Sequence, residues 1–114
     1  MGASAEYVEY IKELLGGFPE LTTKKFFGGV AFRSSYFGSD TQFGVVLGDV
    51  LYFVVDDATR PKYEEKNMAP FSYDKKDKVV IVRKWYTAPE ELFDDEELMK
   101  EWAMEALEAA VRTK

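Results

Sequence analysis

The chain has 114 residues, enough for one domain with a real core, since 46% of them are apolar and 16% aromatic. With no cysteine and no histidine, disulfides, Cys or His metal ligands, thiol nucleophiles and His-based triads are excluded. A net charge of −6 opposes a generic phosphate-backbone binder, which needs a positive field.

Tyr7, Val8, Ile11, Leu14, Leu15 and Phe18 recur at helical spacing, so the first element is a helix. Ser4 is its expected N-cap, and Gly16-Gly17 its end, with Pro19 preventing resumption. Residues Thr22 to Arg33 read as one strand interrupted by Gly28-Gly29, a pair that marks a bulge, a bend or a close backbone approach. Ser34 to Asp40 is a loop of small polar residues.

Two apolar runs, Gln42 to Leu47 and Val50 to Val55, flank Gly48-Asp49. Glycine first in a two-residue loop fits a type II′ hairpin. That register pairs Leu47 with Val50, Val45 with Tyr52, and Phe43 with Val54. One face then carries Phe43, Val45, Leu47, Val50, Tyr52 and Val54. The other carries Gly44, Val46, Leu51, Phe53 and Val55.

Asp56-Asp57 can cap a short helix from about Ala58 to Lys66. A further strand covers Val79 to Tyr86. Thr87 and Glu90 have capping-box spacing, and Asp94-Asp95 offers a second cap for the last helix. That helix aligns Leu98, Met99, Trp102, Ala103, Ala106, Leu107 and Ala110 in one stripe. The order suits an α+β domain, residues 1–114, with helices on one face of a mainly antiparallel sheet. No apolar run is long enough to span a membrane, and the stretch Met1 to Glu6 lacks the basic and then apolar regions of a secretory leader. A cytoplasmic protein is expected.

Charge is unevenly placed. Residues 60–84 hold 8 basic and 4 acidic groups, whereas residues 85–114 hold 3 basic and 9 acidic. Chemistry is harder to find. Phe26-Phe27-Gly28-Gly29 is neither a P-loop nor a dinucleotide fingerprint. Asp94-Asp95-Glu96-Glu97 lacks the punctuated loop of a calcium site. Ser34-Ser35 and Thr22-Thr23 have no histidine base. The expectation is no catalytic residue, no cofactor and no metal. Trp85 and Trp102 read as core or interface anchors.

Lys24-Lys25-Phe26-Phe27-Gly28-Gly29 resembles the opening strand of the TfoX N-terminal domain family, that of the TfoX/Sxy competence regulators of bacteria. Asp56-Asp57-Ala58-Thr59-Arg60-Pro61-Lys62-Tyr63-Glu64 is similar to that family's second helix, Pro70-Phe71-Ser72-Tyr73 to its next motif, and Trp85 to Leu92 with Trp102-Ala103 to its closing segment. The resemblance covers about residues 4–112 and implies two layers in the order α-β-β-β-α-β-β-α. Its motif positions here are Lys25, Phe27, Gly28, Gly29, Arg60 and Pro61. It implies a stand-alone, non-enzymatic domain acting in transcription regulation through a protein partner such as a transcription factor; the net charge of −6 adds the expectation that the chain alone does not bind nucleic acid directly. The alternative is a small-molecule or anion-binding module using Lys24, Lys25, Arg60 and Lys84.

By the same analogy, the helices cover the Val46, Leu51, Phe53, Val55 face. Phe43, Val45, Leu47, Val50, Tyr52 and Val54 would then form an outward apolar patch of several hundred Å², at the limit soluble monomers tolerate. A homodimer through that face is the expectation.

Overall fold

A computed structural model describes residues 4–114. Residues 1–3, the first half of the stretch read as lacking a leader, lie outside the described residues. Helix α1 (Ala5–Leu14) is followed by strands β1 (Leu21–Phe26), β2 (Gly29–Ser34), β3 (Thr41–Leu47) and β4 (Val50–Val54). Then come α2 (Arg60–Glu65), β5 (Pro70–Lys75), β6 (Lys78–Thr87), a 3-10 turn (Glu90–Asp94) and α3 (Glu96–Arg112). The six strands form one antiparallel sheet in the order β1-β2-β3-β4-β6-β5. The fold is α+β, as the element pattern predicts. Among the described residues, no helix is long and apolar enough to cross a membrane.

The helix ends follow their local chemistry. Ser4 Oγ accepts from the Tyr7 amide, and the Asp95 carboxylate accepts from the Leu98 amide, satisfying N–H groups that have no partner within α1 and α3. Gly17 follows α1 at φ +86°, a left-handed conformation that glycine adopts cheaply. Val8, Ile11, Leu14 and Leu15 pack with Met99, Ala103, Ala106 and Leu107 against one side of the sheet, over Phe32, Val46, Leu51 and Phe53.

Four local expectations are corrected. The segment Thr22 to Arg33 is two strands, so four strands precede α2. Phe27-Gly28 is a two-residue turn, and Phe26 pairs with Gly29 across it. Both turn residues have positive φ, +47° and +81°, as a type I′ turn requires. The Gly48-Asp49 turn is also type I′ rather than II′, with φ +59° and +54°. Asp tolerates that region, and its Oδ1 accepts from the Ser4 amide at 2.7 Å, tying the hairpin to the start of α1. Thr87 is no cap. It belongs to β6, and its hydroxyl donates to the Ala69 carbonyl. Finally, α2 is shorter than the expected Ala58 to Lys66 span.

A bulge produces the correction that matters most. Phe32 pairs with Gly44 but Arg33 with Gln42, so Phe43 is an extra residue on β3. The insertion reverses the alternation at this point. Phe43 joins the helix-side core, 5.0 Å from the Phe18 ring and 6.4 Å from Phe53. Gln42 takes the opposite side, where its Oε1 accepts from Arg33.

Candidate functional site

The side of the sheet away from the helix core is not flat. Phe26 in β1 and Trp85 in β6 are four strand positions apart, roughly 19 Å in a flat sheet. Their ring centroids are 5.6 Å apart, edge to face. The sheet therefore curls until its outer strands close over the middle ones. Val45, Leu47 and Phe71 form a second buried cluster inside this concavity, with Phe26, Tyr52, Val82 and Trp85 packed around it. The end of α3 closes one side, where Ala109 and Ala110 meet Val54 and Trp85.

This corrects the expectation of an outward apolar face. The hairpin pairs Leu47 with Val50 and Val45 with Tyr52 as expected. Yet Val45, Leu47 and Val54 are buried within the chain, Val50 and Tyr52 are half-buried, and Phe43 lies on the other side. The six side chains form no open patch on which a second copy would sit. The outer strands and the last turns of α3 cover the apolar surface that the sequence leaves unassigned. Burial also raises the Tyr52 phenol above its ordinary value.

The Phe26–Trp85 contact divides the concave face into two cavities. The first has a volume of about 420 Å³, within the range of ligand pockets, and its walls are Phe27, Leu47, Phe71, Tyr73, Val82 and Trp85. They are almost wholly apolar. Alternation in β5 and β6 places Phe71, Tyr73 and Val82 on one face, so the β5–β6 hairpin builds one wall. The β1–β2 turn builds the other and holds Phe27 at the rim.

Phe27 is the unusual residue of this site. It is 83% exposed, the most exposed large apolar side chain among the described residues. Its φ of +47° is a conformation that bulky L-residues avoid. Phe26 supports it edge-on at 4.7 Å. Neither exposure nor backbone geometry favours phenylalanine at this position on stability grounds.

The following glycines have separate tasks. Gly28 supplies the second left-handed residue of the turn. Gly29 sits against β3, where a Cβ would collide with the Val46 carbonyl oxygen and come within 2.8 Å of Leu47 Cδ2. The pair thus combines a turn with the close backbone approach its sequence allows.

The second cavity, about 330 Å³, is polar. Arg33, Asp40, Gln42, Lys84 and Lys114 reach it, beside Phe26 and Trp85. Arg33 Nε is 2.7 Å from Asp40 Oδ2. Lys114 Nζ donates to Ser39 Oγ, the Asp40 carbonyl and Thr41 Oγ1. Close by, Asp56 fixes the end of α3. Its Oδ2 accepts from Arg112 Nε at 2.7 Å, while Oδ1 accepts from the Ala58 and Thr59 amides. The Arg112 hydrogen bond is the main cause that lowers the Asp56 carboxyl from 3.8 to about 2.

Of the four cations Lys24, Lys25, Arg60 and Lys84, only Lys84 lines this cavity. Lys24 and Lys25 are exposed on the outermost strand β1. Arg60 is held by Asp57 at 2.7 Å and donates to the Arg83 carbonyl. Pro61 stands in the first turn of α2. Sequence reasoning missed Tyr73, Val82 and Trp85 as walls of a common cavity. The alternation of Phe71 with Tyr73 and of Val80 with Val82 was the available signal. It marks a shared face without showing what that face meets.

The chain matches the family model described as TfoX N-terminal domain over residues 13–110. Comparison with curated proteins gives no match.

Proposed function

We propose, for a chain that belongs to the TfoX N-terminal domain family, a non-enzymatic role in protein interaction, with the apolar cavity of the concave face as the docking site. One observation carries this reading. Phe27 is held exposed, in a left-handed conformation, at the rim of an apolar cavity. Backbone strain concentrates where function requires it, and interface anchors are typically aromatic. A regulatory role through a transcription factor is the finer form of this proposal, drawn from the family resemblance.

The anion-binding alternative draws less support. Its four cations are dispersed, and Arg33 and Lys114 at the polar cavity already have partners. Capture with a photoreactive side chain at position 27 tests the main reading. The expected result is one stoichiometric protein adduct, lost on dilution with unlabelled wild type but not with Phe27→Asn. Phosphate or nucleotide raising the melting temperature, with no adduct formed, favours the alternative instead.

A further inference from the structure

We infer that the occupant of the apolar cavity is an extended acidic segment of a partner protein that adds as a strand to the free edge of β5, its apolar side chains entering beside Phe71 and Tyr73. This inference rests on the interaction reading above and gives the partner its chemistry.

Three observations point the same way. First, β5 is the outermost strand on its side of the sheet, and Ser72 to Lys75 are exposed. Every second residue of such an edge turns its N–H and C=O groups away from β6, ready for another strand. Second, these residues also build the cavity. Phe71 and Tyr73 line it, and Lys75 follows on the same face of β5. A strand laid along β5 would therefore meet, at every second residue, an apolar wall, an apolar wall and then a cation.

Third, the cations here lack partners. Lys75 pairs directly across the sheet with Lys78, and like charges in that position repel. Among the described residues, Lys75, Lys76, Lys78 and Arg83 take part in no ion pair, whereas Arg60, Lys62 and Lys66 of the neighbouring helix region each do. An incoming carboxylate would relieve the repulsion between Lys75 and Lys78. The cavity walls carry few polar groups to orient a free small molecule, which favours a segment anchored by its backbone.

The alternation defines the recognised pattern. Running antiparallel to β5, the segment reads acid, any residue, apolar, any residue, apolar. Running parallel, it reads the reverse.

Blocked peptides Glu-Thr-Phe-Thr-Leu and Leu-Thr-Phe-Thr-Glu, each flanked by threonine and carrying a fluorophore, test this with the full chain. Fluorescence anisotropy is expected to show saturable binding of one or both, with amide NMR shifts centred on β5 and the Trp85 indole. Replacing the peptide's Glu by Lys, or methylating alternate backbone nitrogens, is expected to weaken binding about tenfold or more. The double variant Lys75→Glu, Lys78→Glu lies on an exposed hairpin tip and leaves the core intact. It is expected to weaken the acidic peptides by a similar factor and to favour the lysine peptides.

Equal binding of acidic and basic peptides, indifference to the double variant, shifts centred away from β5, or no saturable binding at all overturns the inference. If peptides fail while the adduct at position 27 still forms, the acidic-strand assignment falls and the interaction role stands. If the adduct also fails to form, both fall.

Discussion

Phe27→Asn should stabilise the fold while failing to compete with the wild type for the partner. The residue occupies the first left-handed position of a type I′ turn, with Gly28 at the second. Asn-Gly is the preferred pair for such a turn. Holding an ordinary L-residue in the left-handed region costs about 1–2 kcal/mol, most of which asparagine avoids. Against this stands the loss of the phenyl contacts. The ring is 83% exposed, so roughly 35 Å² of its surface is covered, largely by Phe26. At 25 cal/mol per Å² that is worth somewhat under ~1 kcal/mol. The balance lies between no change and a gain of about 1 kcal/mol, or up to roughly 5 °C in melting temperature. Urea titration read by circular dichroism, beside a thermal melt, measures it. A loss of ~1 kcal/mol or more would mean that the ring is structural, and the reasoning from strain to function would fail.

Three further outcomes follow from the geometry. Gly29→Ala should destabilise the chain by at least ~2–3 kcal/mol, seen as a lower urea midpoint, because its Cβ meets the backbone of β3. Val45→Lys should unfold the chain rather than leave a folded protein of altered oligomeric state, since Val45 is 1% exposed inside the concavity. Light scattering and circular dichroism together distinguish the two results. Asp56→Asn should cost roughly 1–2 kcal/mol near neutral pH, allowing for screening by solvent of its ion pair with the half-exposed Arg112. The folded carboxyl titrates at about 2 against 3.8 unfolded, so the wild type's advantage is complete above the unfolded value and drains as the pH falls through about 2. Melting curves of the two proteins should converge in that window, and a gap that persists unchanged at pH 2 would refute the account.

The parts of the fold legible in the sequence are those governed by neighbours along the chain. Ser4 and Asp95 cap helices because their side chains reach amides three residues on. The Val45–Tyr52 and Leu47–Val50 pairs follow from loop length alone. Phe43 was misplaced because a bulge adds one residue without altering the composition of the strand. The cavity was missed for a different reason. Alternation tells which side chains share a face of β5 or β6, but the meeting of Phe26 with Trp85 depends on the twist and curl of five successive strands. Charge type alone groups Lys24, Lys25, Arg60 and Lys84, but the fold places Lys24 and Lys25 on the edge strand β1, Arg60 on α2 beside Asp57, and Lys84 on β6.

The curled sheet separates the chain's two indoles. Trp102 is buried on the helix side, edge-on to Tyr63 at 4.8 Å and beneath the Lys62 ammonium. Trp85 lies on the concave side among Phe26 and Phe71. The molecule thus carries two tryptophan fluorophores, one on each side of the sheet. With Trp102 replaced by phenylalanine, emission reports the curl and its cavities. With Trp85 replaced instead, it reports the packing of α2 and α3. Opening of the outer strands ahead of global unfolding would show as a Trp85 transition that precedes the Trp102 one, observable without any added label.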